Sequence, residues 1–401
     1  MTYTTKIEKQ TQVLFFIALS FSILGLLYSN STWPAHDIIG KCISLLGLFL
    51  VFFRFLTVLY SMPIRYIIIV LLITPIILHI SSKVDEHAYL LFPFFFCISA
   101  WNIEFRTIVK FCFWINFCFL IITVSASFWG LIQNKVWTRE EYDLVEAVST
   151  QEVRIRNSFG YSYPTNFAVH FTYLNLMWMY LRGGIFKWID YMALFLSIWF
   201  VDYYCNARTE VLMMLLIVIS SFYYRLRVRR KANLSWLENK FFICSIPLMA
   251  MLILFLEYQY MYSTNEIYQF LDIAISGRLY LAANAINTKG ITWFGQFYVQ
   301  HGAGSIVEYN YIDCQYMVWV IIYGIFTFVF ALFLFYLICK KSVQSKEYLI
   351  ALLLSILAIQ NLIFPSLVLL KYNPFFMALF ANIHSRSDIK MKAKLVYGQI
   401  N

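Results

Sequence analysis

Four arginines stand where a fixed positive charge is costly and where a diphosphate would want one. Arg154 and Arg156 belong to Arg154-Ile155-Arg156-Asn157-Ser158-Phe159-Gly160-Tyr161-Ser162-Tyr163-Pro164-Thr165-Asn166. Arg208 belongs to Asn206-Ala207-Arg208-Thr209-Glu210, and Arg278 to Ser276-Gly277-Arg278. A guanidinium presents a rigid fork of N–H donors that matches phosphate oxygens in pairs, so several around one pocket suit a diphosphate. Each alone has a plainer use: the stem reaches back to a lipid headgroup, or the charge meets a neighbouring acid, as Arg208 could meet Glu210. Together, beside a membrane, they read as functional.

Three groups could move a proton near them. His170 lies about one turn inside an apolar run, where a hydrogen-bonded core histidine is the ordinary occupant. His301, in His301-Gly302-Ala303-Gly304, serves equally well as a surface residue, and Asp313 stands just before an apolar run, where capping a helix is its alternative use. Arg54 lies in the half of its run expected to face inward and reads as a side chain reaching back to the interface. Other devices are missing. There is no Gly-x-x-x-x-Gly-Lys-Ser/Thr loop, no His-Glu-x-x-His and no Asp-x-Asp, which argues against a nucleotide-driven pump and against a nucleotide-sugar transferase. No metal site and no cofactor are expected.

These residues must be positioned by membrane spans. Of 401 residues 61% are hydrophobic and only 13% charged, about half the charge a water-facing surface carries. The eight cysteines lie mostly in apolar runs without paired spacing and read as small hydrophobes. The net charge of +10 is spread through short segments between runs, a topology signal and no sign of nucleic-acid binding. The first run lacks a small-residue cleavage site and opens a series of similar runs, so no cleaved signal peptide is expected.

At about 20 residues per crossing, spans are expected near Val13–Ser29, Ile38–Tyr60, Ile64–Ile80, Ala88–Trp101, Thr107–Gln133, Thr165–Leu181, Phe186–Tyr204, Ala207–Tyr224, Phe241–Leu256, Tyr316–Ile338, Tyr348–Phe364 and Asn373–Ile383. The fold class is thus an all-α, polytopic transmembrane bundle of about 12 spans in one membrane domain (residues 1–401). The fourth and twelfth are short enough to be re-entrant. With both termini in the cytoplasm, the inside segments collect most Lys and Arg, including Arg225–Lys231, and the outside segments collect Glu140, Glu141, Asp143, Glu146, Glu152, Glu266, Asp272, Glu308 and Asp313. Two outward loops are long, residues 134–164 and 257–315, and loops of that length usually carry function. Within the second, Ser276–Lys289 has a helical face of Leu279, Ala282, Ala283 and Ile286, with Gly290 as a stop and Trp293-Phe294 as an interfacial anchor. No internal repeat is visible, unlike transporters built from duplicated halves.

From Arg154 to Gly324 the ordered motifs resemble the Wzy-type polysaccharide polymerases, relatives of the O-antigen ligases. Four elements carry the resemblance: Arg156 with Phe159-Gly160-Tyr161 and Pro164-Thr165-Asn166; Arg208-Thr209; Ser276-Gly277-Arg278 opening a helix that ends in Trp293-Phe294-Gly295; and Asp313-x-x-Tyr316 entering a span with Tyr323-Gly324. Two positions depart from it. Many members carry His before Pro-x-Asn, where this chain has Tyr163, and only His301 could stand for the ligase-branch loop histidine.

The resemblance implies a bacterial, multi-pass protein of the cytoplasmic membrane that polymerises undecaprenyl-diphosphate-linked oligosaccharide repeats on the outer face, for capsule or exopolysaccharide. A hydroxyl of the incoming repeat would attack the anomeric carbon of the growing chain, with inversion, as undecaprenyl diphosphate leaves. Arg156, Arg208 and Arg278 would hold the diphosphate, and Asp313, His301 or His170 would take the proton. Arg154, Tyr161, Tyr163, Asn166, His170 and Trp293 would line the substrate site, the aromatics stacking on sugar rings. Neither metal nor cofactor is implied. The partners are the lipid-linked oligosaccharide, membrane lipid, a flippase and a chain-length regulator. A ligase-like glycan transferase and a lipid-linked oligosaccharide flippase are the competing readings.

Overall fold

The computed structural model describes residues 2–84, 88–143, 148–229, 235–302 and 309–383. Seven helices among them are long and apolar enough to cross a membrane: α1 (Thr2–Ser29, from Glu8 onward), α2 (His36–Ser61), α3 (Ile64–Lys83), α5 (Phe105–Phe128), α8 (Arg208–Arg229, to Val228), α9 (Trp236–Tyr262) and α13 (Gly324–Gln344). Shorter helices stand between them: α4 (Ala88–Ser99), α6 (Pro164–Arg182), α7 (Trp188–Phe200) and α14 (Tyr348–Gln360). Phe49, Leu72, Ile122, Leu196 and Met251 are each more than half exposed on the bundle surface. Such a surface suits hydrocarbon and would be a liability in water.

Inside, close approach is bought with small side chains. α1 and α2 pack along Ala18, Ser22, Gly25 and Ser29 against Gly40, Ser44 and Gly47, and a Cβ added at Gly25 would meet the Ser44 nitrogen at 2.3 Å. This is the small-residue seam by which membrane helices bring their backbones together. α6 is almost wholly surrounded by protein along Pro164–Tyr180, with His170 and Thr172 among its buried residues.

Three expectations need correction. The first long loop holds an antiparallel hairpin, β1 (Val136–Asp143) and β2 (Val148–Asn157), in which Trp137 pairs with Arg156 and the register shifts between Glu140 and Glu141. Strand alternation turns Ile155 outward, 61% exposed, and Arg156 inward, 6% exposed. Thus among the described residues this ribbon is the one departure from helix beyond isolated bridges. The side chains of Glu140, Glu141, Asp143, Glu146, Glu152 and Arg154 lie outside the described residues, as do those of Glu308, Arg230 and Lys231 and the tail beyond Ile383.

The run Tyr316–Ile338 is not one helix. α12 (Gln315–Ile321) is fully buried and stops, and α13 restarts at Gly324, whose φ is +86°. The second long loop fills the break. Gln296 donates through its backbone N–H to the Ile322 carbonyl (2.9 Å) and through Nε2 to the Ile321 carbonyl (2.9 Å). Ile325 and Phe326 donate in turn to the carbonyls of Thr292 (3.0 Å) and Trp293 (3.1 Å). Backbone groups freed by the break are therefore satisfied by protein, which a hydrocarbon setting requires.

The run Asn373–Ile383 contains only the five-residue 3-10 helix Phe375–Leu379. With α14 it makes a re-entrant unit in the sense that the chain turns back within the protein to lie beside Lys341. α14 is 13 residues long, about 20 Å, short of a ~30 Å core. After Asn361 the chain turns back, and Asn382 exchanges backbone hydrogen bonds with Ile103 (2.8 Å) and Phe105 (3.0 Å). Gln12, near the start of α1, bonds the neighbouring Asn102 carbonyl (3.3 Å), so the described N- and C-terminal segments share the end opposite the hairpin. Lys341 fastens the returning strand with three bonds from Nζ to the carbonyls of Ala378, Leu379 and Ala381.

The helix expected in the second loop is present as α11 (Arg278–Lys289), with Leu279, Ala282 and Ala283 buried and Gly290 at its C-cap. α10 (Glu266–Ala274) precedes it.

Candidate functional site

Arg156 reaches the site from β2. α7 ends in a π turn, Val201–Cys205, followed by Asn206 in the left-handed region, which leaves carbonyls without helical partners. Arg156 donates Nε–H to the Cys205 carbonyl (2.9 Å) and Nη2 to Thr165 Oγ1 (3.3 Å), and Asn157 donates to the Tyr204 carbonyl (3.3 Å). The guanidinium also lies 5.7 Å from the Tyr163 ring centre. Arg156 thereby ties the hairpin, the start of α6 and the turn into α8 together, three residues before Arg208. Arg208 is exposed at the first position of α8. Glu210 does not pair with it. The carboxylate turns inward instead, where its Oε2 accepts from Thr172 Oγ1 (2.6 Å) and Gln360 Nε2 (3.1 Å).

The second loop supplies the opposite wall. Ser276 and Gly277, at φ of +65° and +74°, turn the chain from α10 into α11. Asp272 caps α11 by accepting from the N–H groups of Leu279 (2.8 Å) and Tyr280 (3.1 Å). Arg278 bonds the Ile275 carbonyl, and its Nε lies 3.6 Å from Asp313 Oδ2. The Tyr309 hydroxyl approaches the same oxygen at 3.5 Å. Asp313 does not cap α12, whose N-cap is Cys314. Burial pushes the Cys314 thiol up to about 12. Tyr309 lies within electrostatic reach of Tyr163 as well as of Asp313 and Arg278, and Arg278 within reach of Glu210. Through Arg156 and Asn157 the first loop is bonded to the α7–α8 turn, and within the second loop Arg278 faces Asp313.

The remaining sequence candidates are distributed unevenly. Tyr163 is half-buried and edge-on to Trp137 at 4.8 Å. Asn166 bonds Ser162 Oγ (3.1 Å) and Asn30 (3.4 Å) at the hairpin end. Tyr161 and His170 are wholly buried and bonded to each other at 2.7 Å, inside the packed interior and away from any substrate surface. The His301 backbone N–H donates to Asn310 Oδ1 and its carbonyl accepts from the Asn310 N–H (3.2 Å), and no described group bonds its ring. Trp293 is 66% exposed, with its backbone wedged against α13, a place for an interfacial anchor.

Sequence reading missed the burial of several charged groups. Glu210 is 1% exposed, Lys371 4% and Glu257 2%. Lys371 sits on the re-entrant turn with Nζ 5.0 Å from the Tyr372 ring centre, and Tyr372 lies within reach of Glu210 and Tyr311. Both carboxylate oxygens of Glu257 are sealed without a hydrogen-bond donor, near Asp272. Their signal was available: an acid or lysine inside an apolar run. Among the described residues no three His, Cys, Asp or Glu side chains gather as a metal centre needs. No family model, no curated protein and no solved structure matches the chain.

Proposed function

We propose that this protein polymerises oligosaccharide repeats carried on undecaprenyl diphosphate, on the outer face of a bacterial cytoplasmic membrane, building capsular or exopolysaccharide. The observation that carries the reading is how the arginines are held: Arg156 bonds the Cys205 carbonyl in the turn into Arg208, and Arg278 lies 3.6 Å from Asp313, which Tyr309 also approaches. Cations held on one end of an apolar bundle suit a diphosphate anchored by a lipid tail.

In this reading the arginines hold the diphosphate of the growing chain and stabilise the charge that develops as it leaves. Each such donor is worth roughly 3–4 kcal/mol in comparable sites. A hydroxyl of the incoming repeat forms the new bond at the anomeric carbon on the opposite face, which inverts the configuration. The test is purified protein in lipid vesicles with synthetic lipid-linked repeats, scored for a ladder of chain lengths. Wild type should make the ladder. Arg156→Ala, Arg208→Ala and Arg278→Ala should each abolish polymer in cells while single repeats collect on the outer face. Repeats collecting on the cytoplasmic face would favour a flippase instead. Part of the Arg156→Ala loss will be structural, since that side chain also satisfies the Cys205 carbonyl.

A further inference from the structure

Aromatic side chains fix the height at which α10 lies. α9 exposes Trp236 at its start and Tyr258 and Tyr262 near its end. From Trp236 to Tyr258 the helix rises about 33 Å, which matches a ~30 Å hydrocarbon core bounded by two aromatic belts. α8 leaves the turn beside Arg156 and α9 returns, so Tyr258 and Tyr262 stand at the hairpin end. Just beyond, Ser263 is extended and Asn265 caps α10 by accepting from the Ile267 N–H (3.0 Å). α10 therefore starts at headgroup height, and its nine residues, about 13 Å long, cannot cross a core.

The sides of α10 are sorted. Asp272, 7% exposed, faces the protein. Ile267, Phe270 and Ala274 are all exposed and fall at i, i+3 and i+7, on one stripe. Glu266 and Gln269 are exposed on the side away from Asp272 and Leu271, with Ile273 at their border. We propose that α10 lies in the bilayer surface at the hairpin end, with Ile267, Phe270 and Ala274 seated among the acyl chains of that leaflet. The stripe continues the apolar sides of the spans, which exposed Phe255 and Met251 of α9 present to hydrocarbon. A second copy of the chain would need more surface. A stable protein interface buries about 800 Å² per partner, beyond what three side chains of a nine-residue helix supply.

Seated this way, α10 sets the height of Arg278. Asp272 caps α11 through the N–H groups of Leu279 and Tyr280, and the Ile275 carbonyl at the end of α10 accepts from Arg278. Under the polymerase reading, on which this link rests, the guanidinium is held at the level where the diphosphate of a membrane-borne lipid lies.

The experiment places wild-type protein in phosphatidylcholine vesicles whose acyl chains carry a diazirine near the carboxyl end. After irradiation, labelled residues are mapped by mass spectrometry. Ile267, Phe270 and Ala274 should label within about threefold of Phe255, and Gln269 at least about tenfold less. Labelling of Gln269 equal to that of Phe270, or no labelling of α10 beside a labelled Phe255, overturns the seat. Phe270→Asp should lower the labelling of α10 by about tenfold or more, and Phe270→Leu should keep it within about threefold. Wild-type labelling in Phe270→Asp also refutes the seat. The wild-type map needs no variant, so it decides alone if Phe270→Asp fails to fold. Retention of undecaprenyl diphosphate should fall together with labelling in Phe270→Asp; unchanged retention refutes the link to Arg278. Wild type that shows the labelling and makes no ladder refutes the polymerase reading and leaves the seat standing.

Discussion

Replacing Lys341 with Met tests how the re-entrant unit is held. The Nζ donates to three carbonyls, of Ala378 (3.0 Å), Leu379 (2.8 Å) and Ala381 (2.7 Å), around the end of the 3-10 helix. A cation there satisfies acceptors that a five-residue helix cannot satisfy itself. Met keeps the length of the stem and removes every donor. Hydrogen bonds to a charged group contribute about 1.5–3 kcal/mol each, and the ammonium's own desolvation offsets part of that. Taking about 1 kcal/mol for each of three bonds, the segment should open more easily by about 3 kcal/mol, or on the order of 10²-fold. Amide hydrogen exchange reads this locally. Residues 375–383 should exchange about 10²-fold faster in Lys341→Met, while the central amides of α6 keep their protection. Lys341→Arg should recover only part, because a planar fork cannot bring one nitrogen onto three carbonyls. Acceleration below threefold, or equal acceleration in α6, would show that apolar packing alone holds the unit.

Gly324→Ala should uncouple the second loop from α13. Its φ is +86° and an added Cβ would meet the Gly295 nitrogen at 2.4 Å, so a loss of about 2–4 kcal/mol is expected, seen as a lowered thermal midpoint and faster proteolysis of residues 290–302. Glu257→Gln should leave the thermal midpoint unchanged or raise it, because the wild-type carboxylate is buried beside Asp272 with neither oxygen bonded. A clear fall in the midpoint would show that this carboxylate has a partner in the membrane.

Much of the fold was readable because spans announce themselves by apolar length. The α11 helix and its Gly290 stop were readable too, from periodicity and a C-terminal glycine. The hairpin escaped because acids crowd Glu140–Asp143 and hide a β-branched alternation visible at Val153 and Ile155. The break at Ile322–Tyr323 escaped for another reason. The one local signal is Gly324, which takes φ +86°; a loop some thirty residues upstream supplies the bonds that make stopping cheap. The site followed the same division. Arg156, Arg208 and Arg278 were visible as misplaced charges, while Glu210, Lys371 and Tyr309 acquire meaning only from neighbours far along the chain, such as Gln360 for Glu210.

The splice between residues 292–296 and the break before α13 also limits where this molecule can yield. Sliding that stretch away would strand the carbonyls of Ile321 and Ile322 and the N–H groups of Ile325 and Phe326 at once. Each orphaned group would cost several kcal/mol in hydrocarbon. That stretch and α13 therefore travel as one rigid wall. Movement of the second loop is therefore left to its other end, the α10–α11 corner, where Ser276 and Gly277 turn the chain at positive φ.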